Sequence, residues 1–218
     1  APLILMENQQ KDWHSDDGSK WLMHAENQLV YASIPGNDAA TKKINDWSEA
    51  DASTFWENAE KTSEYAENDL ESMSTVSGME DLGTYYYSSF QSYNVMRADS
   101  QVISLRSYNN DYTGGIHGDY AYYGTTFDTM TGEKLKIQDI VADMPSFRQQ
   151  ATKDIDKYLQ ENYGDGLFED YQDTVEQIWE GEDGFNWYLN ESGIMVTFNP
   201  YVVGPYAMGA VTVPLPYS

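Results

Sequence analysis

The sequence predicts an α+β fold: a mostly antiparallel sheet packed by two long helices and one shorter one. Three observations lead there. Alternating apolar and polar stretches come in groups, three separate stripes recur at three- and four-residue spacing, and the two kinds of segment do not alternate strictly as β-α-β. At 218 residues the chain is long enough for one large domain or two small ones. It has no internal repeat and no low-complexity linker, so one compact unit is expected.

The elements follow in order. Ala1-Pro2-Leu3-Ile4-Leu5-Met6 fits a first strand, and equally the remnant of a removed anchor or signal. Lys20 to Ile34 reads as a strand pair or one long bent strand, with Trp21, Met23, Leu29, Tyr31 and Ile34 apolar, and Pro35-Gly36-Asn37 ends it as a turn. The longest helix is predicted from Ser48 onward on the stripe Ala52, Phe55 or Trp56, Ala59, Ser63, Ala66, Leu70 and Met73. Ser48 and Asp51 look like a capping box opening it, and Ser77-Gly78 like its stop. Such a stripe is core rather than a cofactor box.

From Thr84 to Tyr108 the pattern turns to strands, carried by Tyr85, Tyr87, Phe90, Tyr93 and Val95 and then by Val102 to Arg106. Phe127 to Leu135 has the form of a hairpin with Gly132 in its turn. A second helix starts near Pro145, buries Phe147, Ala151, Ile155, Tyr158 and Leu159, and stops at Gly164. A third covers roughly Glu169 to Glu180, with Tyr171, Val175, Ile178 and Trp179 on one face. Two closing strands alternate through Ile194, Val196 and Phe198 and through Val211, Val213 and Leu215. The connector between them, Asn199 to Gly209, is too apolar for an ordinary exposed loop, which leaves half-buried packing or a contact surface.

Thirty-six acidic residues face twelve basic ones, for a formal charge of −24. That surface repels nucleic acid and anionic lipid and attracts cations and basic proteins. Twelve carboxylates lie between Asp154 and Glu191, with only Lys153 and Lys157 nearby. A one-sided stretch of this kind is a solvated face, or it steers a cationic partner in a salt-dependent way. Eighteen tyrosines argue against disorder and suit exposed contacts.

Reactive chemistry is hard to find. There is no cysteine, hence no disulfide, thiol catalysis or thiolate zinc site. No apolar run reaches the length of a membrane span, so membrane contact is expected only through a segment outside these residues. The three histidines, His14, His24 and His117, lack the spacing of a helical zinc site. No nucleophile elbow, P-loop or dinucleotide fingerprint occurs. Asn109-x-Asp111-x-Thr113-Gly114 starts like a calcium loop, but Tyr120 stands where a bidentate Glu is needed, and Glu180-Gly181-Glu182-Asp183-Gly184 is a second weak calcium candidate. No catalytic residue, metal ligand or cofactor is expected. The most pointed segment is Gly114-Gly115-Ile116-His117-Gly118, whose three glycines imply a sharp turn or a close backbone approach. His117 either fixes its own loop or faces a partner.

A string of motifs now stands out: Tyr112-Thr113-Gly114-Gly115-Ile116-His117-Gly118, then Phe127-Asp128 and Thr131-Gly132, then Leu135-x-Ile137-x-Asp139-Ile140. Gly193 to Tyr201, Gly204-Pro205-Tyr206-Ala207-Met208-Gly209 and Val211-Thr212-Val213-Pro214 complete it. In this order they resemble the extracytoplasmic domain of RsiV-type anti-sigma factors, which also occurs beside the catalytic domain of PdaC-type peptidoglycan deacetylases. The resemblance divides the unit into a companion half, about 1–108, and an RsiV-like half, about 109–218. It implies a domain outside the cytoplasmic membrane of a Gram-positive bacterium, secreted or membrane-anchored, and, in the RsiV type, a receptor for lysozyme. The deacetylase metal motif is absent from this sequence.

The expectation is therefore a non-enzymatic sensing or binding domain whose partner is a basic protein such as lysozyme. Its contacts would come from Tyr112, Thr113, His117, Tyr120 and Tyr122 in a Tyr112–Tyr123 loop, and from Tyr201, Pro205 and Tyr206 in the connector. Asp165, Glu169, Asp170, Asp173, Glu182 and Asp183 would steer. The alternative is a cell-wall accessory module binding peptidoglycan or glycan through aromatic platforms.

Overall fold

The computed structural model describes residues 1–74, 87–180 and 186–216. The stop at Ser77-Gly78, the first residues of the strand pattern at Thr84 and Tyr85, and the 181–184 acidic loop lie outside them.

The fold is α+β, as expected. Strands β1 (Leu3–His14), β2 (Trp21–Ser33), β3 (Tyr87–Ala98), β4 (Val102–Tyr112) and β5 (Asp119–Asp128) form one sheet in sequential order. All neighbours are antiparallel except β2 and β3, which run parallel. A parallel pair needs a long crossover, and helix α1 (Asp38–Ser74) supplies it. A second, antiparallel sheet contains β6 (Trp187–Asn190), β7 (Gly193–Phe198) and β8 (Val211–Pro216). Between the sheets in sequence lie α2 (Ile137–Ile140), α3 (Met144–Tyr163) and α4 (Tyr171–Gln177).

Helix α1 begins well before Ser48, and the capping-box expectation is wrong. Asn37 opens the helix straight after the Pro35-Gly36 turn, its Oδ1 accepting from the Ala40 amide at 3.2 Å. Ser48 is a buried mid-helix residue with a different task. Strand β2 pairs with β3 only from Met23 to Asn27, so the rest of that edge needs other acceptors. Thr41, Asn45 and Ser48, on one helical face, provide them for the amides of Ile34 (2.9 Å), Ala32 (2.8 Å) and Val30 (2.9 Å).

Two local expectations hold. The Phe127–Leu135 hairpin closes through Gly132 at φ 73, with Phe127 bridged to Lys134. Helix α3 carries Pro145 in its first turn, an Asp143 side chain accepting from the Ser146 amide, and Gly164 at its end. Two strands go beyond the sequence expectation. β5 was expected as loop because its tyrosines give no clear inside and outside, and β6 is only four residues long. β1 also runs much further than Met6. The calcium-like Asn109 and Asp111 belong to strand β4, where Asp111 accepts from the Ser89 hydroxyl at 2.5 Å.

Helix α1 packs on the first sheet through Ile44 and Trp47 against Val30, Ile103, Leu105 and Phe127. Further along, Ala59 and Ala66 pack against Met23, Ala25 and Tyr87. Helices α3 and α4 pack on the second sheet through Ile155, Leu159, Tyr171 and Val175. The sheets meet at β5 and β6. The Leu189 amide donates to Ser104 Oγ at 2.8 Å, and the Gly124 amide to Asn186 Oδ1 at 2.9 Å. Gly124 is obligatory, because a β-carbon there would lie 1.7 Å from the Trp187 carbonyl oxygen.

Candidate interaction surface

Strand alternation puts Arg106, Tyr108 and Asn110 of β4 on one face, opposite Gly124, Tyr122 and Tyr120 of β5. The Tyr112–Tyr123 segment is thus a β-hairpin, with a glycine-rich tip rather than one long loop. The closing strands carry the connector to the same place. Asn199 clamps Tyr122 by accepting from its amide at 2.8 Å and donating to its carbonyl at 3.1 Å. Asn186 donates to that carbonyl at 2.6 Å.

Two segments far apart in sequence therefore meet. His117 stacks on Tyr206 with ring centroids 3.7 Å apart and planes 12° from parallel. The Tyr206 hydroxyl donates to the Gly118 carbonyl at 2.7 Å, across 88 residues. Tyr120 meets Tyr206 edge-on at 5.7 Å, and Tyr201 lies 5.6 Å away on a tilt. Tyr120 Oη accepts from the Ala210 amide at 3.3 Å. Partial desolvation, then the charges of Tyr120 and Asp119, push the Tyr206 phenol above its ordinary pKa of 10.0, so it stays a donor at neutral pH.

His117 fixes its own loop through Nδ1 and the Gly118 carbonyl (3.0 Å), and the residue is exposed. The connector is likewise half packing and half surface. Val203 and Gly204 are buried, while Tyr201 and Pro205 are exposed. Tyr201 holds φ at 67°, a conformation that costs a non-glycine residue about 1 kcal/mol or more. Tyr112 bonds the Gly115 carbonyl at 3.1 Å, Thr113 is exposed, and Ile116 at the tip is wholly exposed. Glycine spacing marks this tip in the sequence, whereas the exposed Ile116 carries no local signal of its own.

Asp165, Glu169, Asp170 and Asp173 are all exposed, and Glu182 and Asp183 lie outside the described residues. The 164–168 segment abuts the connector: the Phe168 amide donates to the Val203 carbonyl at 3.0 Å. Gly166 and Gly204 pack against Met208 closely enough that a β-carbon on either would crowd it. The carboxylate-bearing segment is thus joined to the connector through its backbone. Among the described residues no cluster of three or more His, Asp or Glu has the geometry of a metal site.

A separate polar cleft of about 510 Å³ opens between α1 and the strands β3–β5. Asp51, Gln91, Tyr93, Asn109, Tyr123, Trp47 and Trp187 are among its walls. Asp51 accepts from both the Tyr93 hydroxyl and the Gln91 amide. Burial, then the Asp51 charge, raises the Tyr93 phenol far above its ordinary value.

On the first sheet His24 lies between Asp12 (2.5 Å) and Glu26 (2.9 Å). Its hydrogen bond to Asp12, helped by Glu26 and opposed by partial burial, raises its pKa above 6.5. A raised folded pKa means its contribution is complete below about pH 6.5 and fades as pH climbs through the raised value. NMR titration should place the His24 midpoint above 6.5, and Asp12→Asn should bring it down.

Comparison with known proteins adds the following. No curated protein matches the chain. The crystal structure of a DUF3298 family member from Bacteroides fragilis is similar over 100% of this chain and 91% of its own, with a TM-score of 0.70 at 17% identity. A DUF3298 family protein from Pseudomonas aeruginosa is similar over the same shares, with a TM-score of 0.60 at 15% identity. At such identities the likeness concerns the fold. Residues 138–218, from α2 through the second sheet and the Tyr201–Tyr206 connector, match the family model described as Protein of unknown function (DUF3298).

Proposed function

We propose that this chain is a non-enzymatic extracytoplasmic binding domain that docks a basic protein, lysozyme being the partner implied by its resemblance to RsiV-type receptors. The observation that carries this is the joining of the 112–118 tip to the 201–206 connector in one exposed aromatic surface beside a carboxylate-bearing segment. Stacked rings lose little conformational freedom on binding, and tyrosine is a frequent anchor. The charge of −24 would speed encounter with a cationic partner and lose that effect as salt rises.

Titrating the chain with lysozyme at low and moderate salt tests the proposal. A complex is expected at low salt, weakened at moderate salt. Tyr206→Ala should weaken it by about 2 kcal/mol, roughly 30-fold in Kd. No complex at low salt would rule the proposal out.

Wall glycan is the second candidate ligand, favoured by the Trp- and amide-lined cleft between α1 and the sheet. Retention on purified cell wall that salt does not abolish would select it.

A further inference from the structure

Arg106 sits oddly in so acidic a molecule. Several other cations meet carboxylates: Lys11 meets Glu60 at 2.8 Å, Lys42 meets Asp46 at 2.6 Å and Arg97 meets Asp99 at 2.6 Å. Among the described residues the Arg106 side chain meets no hydrogen-bond acceptor or carboxylate, although the chain holds 36 carboxylates. It is not a solvated surface arginine either. Its Nε is sealed from solvent without an acceptor, and its guanidinium carbon lies 4.7 Å from the Tyr122 ring and 5.6 Å from that of Tyr188. Two aromatic rings hold the cation in place and partly strip its water.

The guanidinium lines an open cavity of about 340 Å³ with Ser92, Asn94, Tyr108, Tyr120 and Tyr122. Strand register explains the grouping: Asn94 stands opposite Arg106, Ser92 opposite Tyr108, and Tyr108 opposite Tyr122. Among the described residues the lining offers one fixed cation, four hydroxyls, one carboxamide and no carboxylate. Tyr120 Oη already accepts from the Ala210 amide, which leaves its proton free to donate.

We infer that this cavity is a carboxylate-binding site in which Arg106 grips the two oxygens of a single carboxylate. A guanidinium fork matches that planar pair, and the strongly negative molecule disfavours a dianion such as phosphate more than a monoanion. The site does not depend on the docking of a basic protein, and its test uses no protein partner.

The test is an amide NMR titration with sodium acetate, ionic strength held constant with sodium chloride. Saturable shifts are expected at Asn94, Arg106 and Tyr122, half-complete below about 100 mM. Arg106→Lys, which keeps the charge and loses the fork, should weaken the response at least about threefold. Asn94→Asp should place a carboxylate of the chain itself against the guanidinium. It should raise Tm by about 2–4 °C and abolish the acetate response, although one more negative charge would ordinarily destabilise so acidic a protein. Triglycine with its amino end blocked separates sources: half-saturation below that of acetate assigns a peptide C-terminus, and one at or above it a small free carboxylate. The inference is overturned if acetate acts no differently from chloride. It also fails if Asn94→Asp lowers Tm or keeps the response, or if inorganic phosphate saturates the site at lower concentration than acetate.

Discussion

Gly124→Ala is expected to destabilise the protein by at least about 3 kcal/mol and to lower Tm by roughly 6–12 °C. The added methyl would sit 1.7 Å from the Trp187 oxygen, 2.3 Å from its carbonyl carbon and 3.0 Å from the Tyr188 nitrogen. All three are backbone atoms, so no rotamer change relieves the clash, and the first sheet must move away from β6. That movement would break the Gly124–Asn186 bond and strain the Ser104–Leu189 bond. Since α1 packs on the first sheet while α3 and α4 pack on the second, the loss should be uneven. Hydrogen exchange should show protection falling first in β6–β8 and persisting in β1–β3. Uniform loss, or a Tm within about 2 °C of wild type, would contradict this picture.

Phe127→Ala should cost about 3–5 kcal/mol and act on the other half. Phe127 is 1% exposed and packs with Ile44, Ile103 and Leu105, while Trp47 meets its ring edge-on at 4.9 Å. Its backbone also bridges Lys134, holding the hairpin that bounds the polar cleft. The void would be lined by ring edges and stiff branched side chains that relax poorly. Here protection should fall in α1 and β3–β5, the opposite order from Gly124→Ala. Chemical denaturation of both variants would give the magnitudes, and exchange the order.

The contrast explains what sequence could and could not reveal. Helix α3 was legible because Asp143, Pro145 and Gly164 act locally, each at its own end of the helix. The start of α1 was not, because Ser48 and Asp51 copy a cap while serving distant partners: Ser48 the β2 edge, and Asp51 the Tyr93 and Gln91 side chains. Strand β5 was hidden since tyrosines fit both a packed and a wet face. For the candidate surface, glycine and tyrosine content marked both segments. That His117 and Tyr206 stack on each other depends on how the second sheet docks, which no local pattern encodes. Arg106 was legible only as a strand residue, because its isolation from the carboxylates among the described residues is a fact of three dimensions.

The row of Thr41, Asn45 and Ser48 along α1 has a consequence for how the chain matures. Strand β2 is synthesised before β3, and for a time one whole margin of it would be bare, an invitation to wrong pairing between nascent molecules. The helix that emerges next carries three acceptors spaced to cover the stretch that β3 never reaches. It can shield that margin before the genuine neighbour exists, acting as a chaperone encoded within the polypeptide.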